Sequence, residues 1–140
     1  MVLEGQCHCG AITATLFASK PANDLKLRAC QCEFCRQHGA ITVADAAGRA
    51  VVRLARSTLI AYQFATRTSR ALVCGVCGIY AGALLEEAPL AWSVLNVRGL
   101  GVREFSGRIG EPVCYDGETA SARTARRKAM WTPTQVEMRP

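Results

Sequence analysis

The chain has 140 residues, half of them hydrophobic, so it is long enough for one domain with its own core and too apolar for a disordered segment. Its formal net charge is +6, a count that treats each of the eight cysteines as neutral, and ionised thiols would lower this charge and so weaken the case for a nucleic-acid partner. No apolar run reaches the roughly 18 residues that a membrane span needs, so we expect no membrane association.

Short segments with apolar residues at every second position, or short apolar runs bounded by Gly or Pro, predict β-strands. These segments are residues 11–17, 25–29, 50–54, 58–64, 70–73, 79–84, 91–97 and 102–105.

One segment breaks this pattern. Residues 118–130 (ETASARTARRKAM) are rich in alanine and long side chains, which favour a helix. Asp116 can cap the start of this helix, and Pro133 prevents its continuation. We therefore expect a single domain over residues 1–140, mainly β with antiparallel sheets, with a core at about 4–115 and a short C-terminal helix at about 118–130.

Seven of the eight cysteines fall into three tight clusters, a pattern typical of metal binding. The clusters are Cys7-x-Cys9, Cys30-x-Cys32-x-x-Cys35 and Cys74-x-x-Cys77. The N-terminal segment lacks the basic start and the apolar centre of a secretory signal. We therefore expect a cytoplasmic protein whose thiols stay reduced and bind metal instead of forming disulfides.

The cysteines divide most simply into a set of four and a set of three. Each of the two pairs is followed by a glycine, which suits a tight turn around a metal ion. Together the pairs form a closed set of four thiolates typical of structural zinc, consisting of Cys7, Cys9, Cys74 and Cys77. The remaining set, Cys30, Cys32 and Cys35, can hold a second zinc and leave one coordination position open for a substrate.

Sequence spacing leaves other arrangements open. The closed site can instead consist of Cys7, Cys9, Cys30 and Cys32. His38 can close the triple as a site of three cysteines and one histidine, both zinc ions can be purely structural, or the triple can hold an iron–sulfur cluster. We expect Cys114 to be a buried structural thiol and His8 to be a packing or surface residue.

The motifs GQCHCGAI (5–12), CQCEFCRQHGA (30–40) and CGVCG (74–78) resemble the glutathione-dependent formaldehyde-activating enzyme family, to which centromere protein V also belongs. The match is specific in the order and spacing of the cysteines, and it extends from Gly5 to about Leu84. The segment NVR (96–98) and the C-terminal YDGE (115–118) and WTP (131–133) also look like bacterial members.

This resemblance implies a β-rich, Mss4-like tent with two zinc ions. It implies a structural zinc on Cys7, Cys9, Cys74 and Cys77, and a catalytic zinc on Cys30, Cys32 and Cys35. The implied activity is that of a carbon–sulfur lyase, such as the condensation of glutathione with formaldehyde to S-hydroxymethylglutathione. The implied partners are therefore a small thiol and an aldehyde.

Basic residues are candidates for the carboxylates of glutathione, and Arg36, adjacent to Cys35, is the first choice. Arg67 and Arg70 are further candidates, whereas we expect residues 123–128 to form an exposed basic helix face. The alternative functions are a non-catalytic zinc-binding interaction module and a thiol-redox module. With 9 aromatic residues and no interleaved basic and aromatic motif, the chain offers little for base stacking.

Overall fold

The structure, a computed structural model, describes residues 1–140 as a β-rich fold with two short helices. The strands are β1 (Val2–Gln6), β2 (Ile12–Phe17), β3 (Arg28–Cys30), β4 (Thr42–Val43), β5 (Arg49–Ala55), β6 (Leu59–Tyr62), β7 (Arg70–Cys74), β8 (Tyr80–Glu87), β9 (Leu90–Asn96), β10 (Glu111–Val113) and β11 (Thr132–Arg139). The helices are α1 (Glu33–His38) and α2 (Ala120–Met130), and 3₁₀ turns occur at Ala22–Asp24 and Arg103–Phe105. The expectation of a mainly β protein with a short C-terminal helix is confirmed.

The strands form one branched sheet system. The main path runs β1-β2-β5-β11-β9-β4-β3-β10, and β9 also continues through β8 and β7 to β6. Strand β11 connects the two halves, because Thr132 and Pro133 pair with β9 whereas the rest of the strand pairs with β5. One strand therefore bridges what would otherwise be two separate sheets.

The sheet is mixed: most strand pairs are antiparallel, as expected, and two pairs are parallel. Strand β11 runs parallel to β5, and β10 runs parallel to β3. In both pairs the two strands are far apart in sequence, so each parallel pairing brings together the ends of a long segment of chain. Short-range strand patterns do not reveal such pairings.

The main core lies between the two halves of the sheet system. Its largest fully buried apolar side chains come from strands and loops throughout the chain: Leu3, Ile12, Val43, Val52, Leu54 and Leu100. Cys7 and Cys74 belong to this core. A second, smaller cluster contains Cys35, Ala40, Ala71 and Tyr80. The two sets of cysteines thus lie in different apolar environments.

Most predicted strands are present, with boundaries shifted by one to three residues. Two predictions are wrong in part or in full. Residues 25–29 are a strand only from Arg28 onward, and residues 102–105 form a 3₁₀ turn. Leu25 and Leu27 alternate because both are buried in the core, not because the segment is a strand. The sequence patterns also missed β1, β4, β10, β11 and α1.

Helix α2 begins two residues later than predicted and has a different cap. The hydroxyl of Thr119 accepts a hydrogen bond from the backbone N–H of Ala122 at 3.1 Å, so Thr119 and not Asp116 caps the helix. The helix ends at Met130, and the buried Trp131 that follows leads directly into β11. Neither helix has the length and apolar character that crossing a bilayer requires.

Candidate active site and metal centres

The first metal centre joins the N-terminal cysteine pair to the pair between β7 and β8. The Sγ atoms of Cys7, Cys9, Cys74 and Cys77 all lie within 4.8 Å of one another. Cys7 Sγ lies 3.8 Å from Cys9 Sγ, which in turn lies 3.5 Å from Cys74 Sγ. Tetrahedral sulfurs at about 2.3 Å from one zinc ion are separated by about 3.8 Å. The observed distances therefore fit a closed tetrahedral metal site.

Two similar turns present these sulfurs. The backbone N–H of Gly10 donates to the carbonyl of Cys7 at 3.0 Å, and that of Gly78 donates to the carbonyl of Cys74 at 2.8 Å. Both glycines have φ near +80°, a conformation that other residues adopt at a cost. The glycine that follows each pair is therefore what allows both sulfurs of the pair to face one ion.

The second centre lies at the start of α1. The Sγ atoms of Cys30, Cys32 and Cys35 lie within 4.8 Å of one another. Cys30 ends β3, and Cys32 caps α1 by accepting a hydrogen bond from the Cys35 N–H at 3.4 Å. A strand end and a helix start therefore hold the three thiols together over six residues.

The three thiols differ in acidity because they share one small space. A hydrogen bond from Cys35, together with the charge of nearby Arg126, lowers the pKa of Cys30 to about 6. The same hydrogen bond and burial raise the pKa of Cys35, and burial raises that of Cys32. One thiolate thus opposes the ionisation of the other two, and a bound cation removes this opposition. The donor set is therefore suited to a metal ion.

The structure shows how the cysteines group and where His38 lies. Cys7 and Cys9 group with the second cysteine pair and not with Cys30 and Cys32. The ring of His38 contacts that of Phe34 in a tilted arrangement, with centroids 4.5 Å apart, and His38 is not part of the group of potential ligands.

The remaining cysteine and the remaining histidine lie on the surface. Cys114 is exposed, which corrects the expectation of a buried thiol, and His8 is exposed as well.

The three-cysteine centre opens onto a cavity of about 490 Å³, a size suited to a small molecule. All three cysteines line this cavity, and Tyr80 lies beside them. Burial and the neighbouring Cys35 thiol raise the pKa of Tyr80, so its phenol stays protonated at neutral pH. Apolar side chains supply much of the rest of the wall, among them Phe64, Met130 and Trp131.

Helix α2 supplies a basic wall to the same cavity, which corrects the expectation of an exposed basic face. Arg123, Arg126 and Arg127 line the cavity, and the Arg123 and Arg126 side chains are only 13% and 21% exposed. Arg126 forms a bidentate pair with Glu118 at 2.8 and 3.0 Å, and its guanidinium carbon lies 3.5 Å from the centroid of the Tyr115 ring. Only Lys128 follows the expectation, since it pairs with Glu87 at the surface.

The arginines that the sequence nominated lie elsewhere. Arg36 is exposed on α1, Arg70 pairs with Glu86 across β7 and β8, and Arg67 lies in the loop after β6. None of the three lines the cavity. Proximity in sequence to Cys35 therefore did not predict proximity to the opening of the metal centre.

An aromatic cluster at the cavity was also missed by the sequence patterns. Phe34 contacts Tyr62, Phe64 and Tyr80, with ring centroids 4.9 to 5.7 Å apart. Tyr62 and Phe64 are exposed. The three segments that contribute these aromatic residues are far apart in sequence, so no local sequence pattern predicts the cluster.

Comparison with known proteins identifies the family of this chain. The family model described as "glutathione-dependent formaldehyde-activating enzyme" matches residues 2–96, which contain both metal centres. A crystal structure of a Rhodobacter sphaeroides protein is similar, with 32% sequence identity and a TM-score of 0.57, over 79% of this chain and 99% of that chain. No curated protein matches this chain. The chain belongs to the family of glutathione-dependent formaldehyde-activating enzymes.

Proposed function

We propose that this protein is a zinc-dependent carbon–sulfur lyase-type enzyme that acts on an adduct of an aldehyde with glutathione or another small thiol. Formation of S-hydroxymethylglutathione from glutathione and formaldehyde is the model reaction. The observation that carries this proposal is the three-cysteine centre, which has one ligand fewer than a closed site and faces a cavity of substrate size.

The two centres have different roles in this proposal. Cys7, Cys9, Cys74 and Cys77 hold a structural zinc, and two of these residues are part of the main core. Cys30, Cys32 and Cys35 hold the catalytic zinc. When bound there, zinc supplies Lewis-acid polarisation of the thiol and the carbonyl.

The side chains of the chain orient the reactants and limit the access of water. In the condensation, the thiol sulfur adds to the aldehyde carbon, the carbon–sulfur bond forms, and the thiol proton ends on the carbonyl oxygen. The reverse reaction breaks the same bond. The apolar walls lower the local dielectric and so strengthen the polar interactions inside the cavity. The protonated phenol of Tyr80 lines this space beside the cysteines.

A cytoplasmic location suits this chemistry, because the cytoplasm keeps both the ligand thiols and the substrate thiol reduced. A thiol-redox function is the alternative that a specific observation favours, namely the three thiols of Cys30, Cys32 and Cys35 within 4.8 Å of one another beside a cavity. Release of zinc by peroxide and its return with reductant, without turnover of thiol–aldehyde adducts, is the outcome that would favour the redox function.

The proposal is tested with Cys32→Ser and a matched Cys114→Ser protein, both loaded with zinc. The condensation of glutathione with formaldehyde is followed by exchange spectroscopy, and zinc content is measured by elemental analysis. We expect the wild type and Cys114→Ser to bind two zinc ions and to be active. We expect Cys32→Ser to bind one zinc and to lose activity at least about 100-fold, because metal ligands position the reactive group. Equal turnover in all three proteins would refute the proposal.

A further inference from the structure

The basic wall of the cavity holds more positive than negative charge at short range. Three guanidinium groups of α2 lie together, and Glu118 forms ion pairs with two of them, Arg123 and Arg126. The other acidic residue in the wall, Asp116, is exposed and forms no ion pair. The three neighbouring cations therefore have only one ion-paired carboxylate among them.

Arg127 is the cation without an anionic partner. Its Nη1 donates to the Thr68 hydroxyl at 2.9 Å, and its guanidinium carbon lies 4.9 Å from the centroid of the Trp131 ring. Its Nε is buried without any hydrogen-bond acceptor. The Nε of Arg123 is also buried without a hydrogen bond, but it lies 3.5 Å from Glu118 Oε1 in an ion pair. Buried donors of charged groups are normally satisfied, since leaving them unpaired costs free energy.

The surroundings of Arg127 indicate that an anion completes the site. Burial, together with the repulsion of Arg126 and Arg123, lowers the pKa of Arg127 to about 10. A protein that keeps an unpaired cation in an apolar-walled cavity gives up stability, and such a loss is common at sites that bind a charged ligand. A carboxylate matches the planar fork of a guanidinium group and forms two parallel hydrogen bonds with it.

This basic wall lies in the same cavity as the three-cysteine centre but in a different part of the sequence. The family match ends at residue 96, whereas α2 begins at Ala120. The wall therefore lies outside the segment that the family match covers, although it lines the same cavity as the three cysteines.

We propose that Arg127, together with Arg123, forms an anion subsite that receives a carboxylate of the thiol substrate, so that the cavity selects thiols that carry a carboxylate. This inference rests on the proposed function. It assigns the selection to α2 and not to Arg36, the arginine nearest to the metal ligands in sequence.

The test measures binding without chemistry. S-methylglutathione retains both carboxylates but has no free thiol, and its diethyl ester lacks both carboxylates. Binding of each compound to the zinc-loaded protein is measured by calorimetry for wild type, Arg127→Gln, Arg127→Lys, Arg123→Gln and Arg56→Gln. Arg56 is the matched control, because it is exposed and does not line the cavity.

We expect Arg127→Gln to weaken binding of S-methylglutathione about 10-fold or more, with a smaller loss in Arg127→Lys and none in Arg56→Gln. The diethyl ester should bind weakly and equally to all of these proteins. Absence of binding to wild type at millimolar concentration would overturn the subsite, and so would equal binding by wild type and Arg127→Gln. If Arg127→Gln does not fold, Arg123→Gln decides the matter by the same measurement.

Kinetics separate this inference from the proposed function. If the protein turns over thiol adducts, Arg127→Gln should raise KM for glutathione about 10-fold and leave that for 2-mercaptoethanol unchanged. An equal rise for both thiols would overturn the carboxylate assignment. If wild type turns over no thiol adduct, the proposed function fails, while the calorimetric result still decides the subsite.

Discussion

At the scale of single residues, the two sets of cysteines have different neighbours and so different consequences when changed. Cys74 is 1% exposed and part of the main core, whereas Cys30 and Cys32 are partly accessible beside the cavity. A closed metal site contributes folding free energy outright, since the unfolded chain does not hold its ligands together. The four-cysteine centre should therefore control stability.

We expect Cys74→Ser to lower the free energy of unfolding by more than about 4 kcal/mol, because loss of a structural metal is among the most damaging single changes. Cys32→Ser, at the other centre, should cost much less. Chemical denaturation monitored by circular dichroism provides the measurement, with zinc content determined on the same samples. A Cys74→Ser protein as stable as wild type would contradict the structural role of this centre.

The grouping of the cysteines could be predicted from their spacing and from the glycines that follow them. This was possible because each cysteine pair lies in one local turn. The sets that the spacing favoured are the ones that the structure brings together. The partners of Arg127 could not be predicted in this way. Thr68 lies 59 positions away, and neither residue belongs to a recognisable motif. Contacts of this kind depend on tertiary packing alone.

At the scale of elements, α2 shows what a helix prediction leaves open. Alanine and long side chains predicted the helix, but its basic face was expected to lie in solvent. Strand β11 starts directly after the helix and places this face over the cavity. The intrinsic helix propensity of a segment does not depend on what the helix packs against, so it cannot reveal this orientation.

The ion pairs of Glu118 stabilise the start of α2 in a pH-dependent way. The hydrogen bond from Arg126 holds the pKa of Glu118 below its usual value. A carboxylate with a lowered pKa stabilises the folded state at neutral pH, and this contribution is lost as pH falls through the lowered pKa. We expect Glu118→Gln to lower the free energy of unfolding by about 1 kcal/mol or less at pH 7. The difference in this free energy between the variant and wild type should shrink below about pH 4.

Urea unfolding of wild type and Glu118→Gln at several pH values measures this difference. Acid also protonates the metal ligands, but it does so equally in both proteins. The prediction is therefore tested by the difference between their free energies of unfolding. Glu4→Gln is the control, because Glu4 is exposed and has no ion pair. A difference that stays constant down to about pH 3 would show that the charge of Glu118 does not contribute.

At the scale of the whole molecule, β11 holds the sheet system together. It pairs in parallel with β5 and, through its first two residues, in antiparallel fashion with β9. The sequence patterns missed this strand. Its apolar residues are few, and its partner β5 lies about eighty residues earlier in the chain, as the pairing of Gln135 with Val51 illustrates.

We expect a chain that ends after Trp131 not to fold. Without β11, strands β5 and β9 would each lose a hydrogen-bonded partner strand, and backbone groups that are now paired would be left unpaired. Circular dichroism and zinc retention provide the measurement, and removal of Pro140 alone is the matched control. A truncated protein with a native-like sheet spectrum and two bound zinc ions would contradict this role of β11.

The division of the chain between cysteine-bearing segments and the arginine-bearing helix has an evolutionary consequence. All seven metal-site cysteines lie between positions 7 and 77, whereas the cationic wall lies on α2. If α2 selects the thiol as we propose, substitutions within this helix should change the substrate preference while all seven cysteines stay in place. Exchange of α2 between relatives would then be a route to proteins with altered thiol specificity.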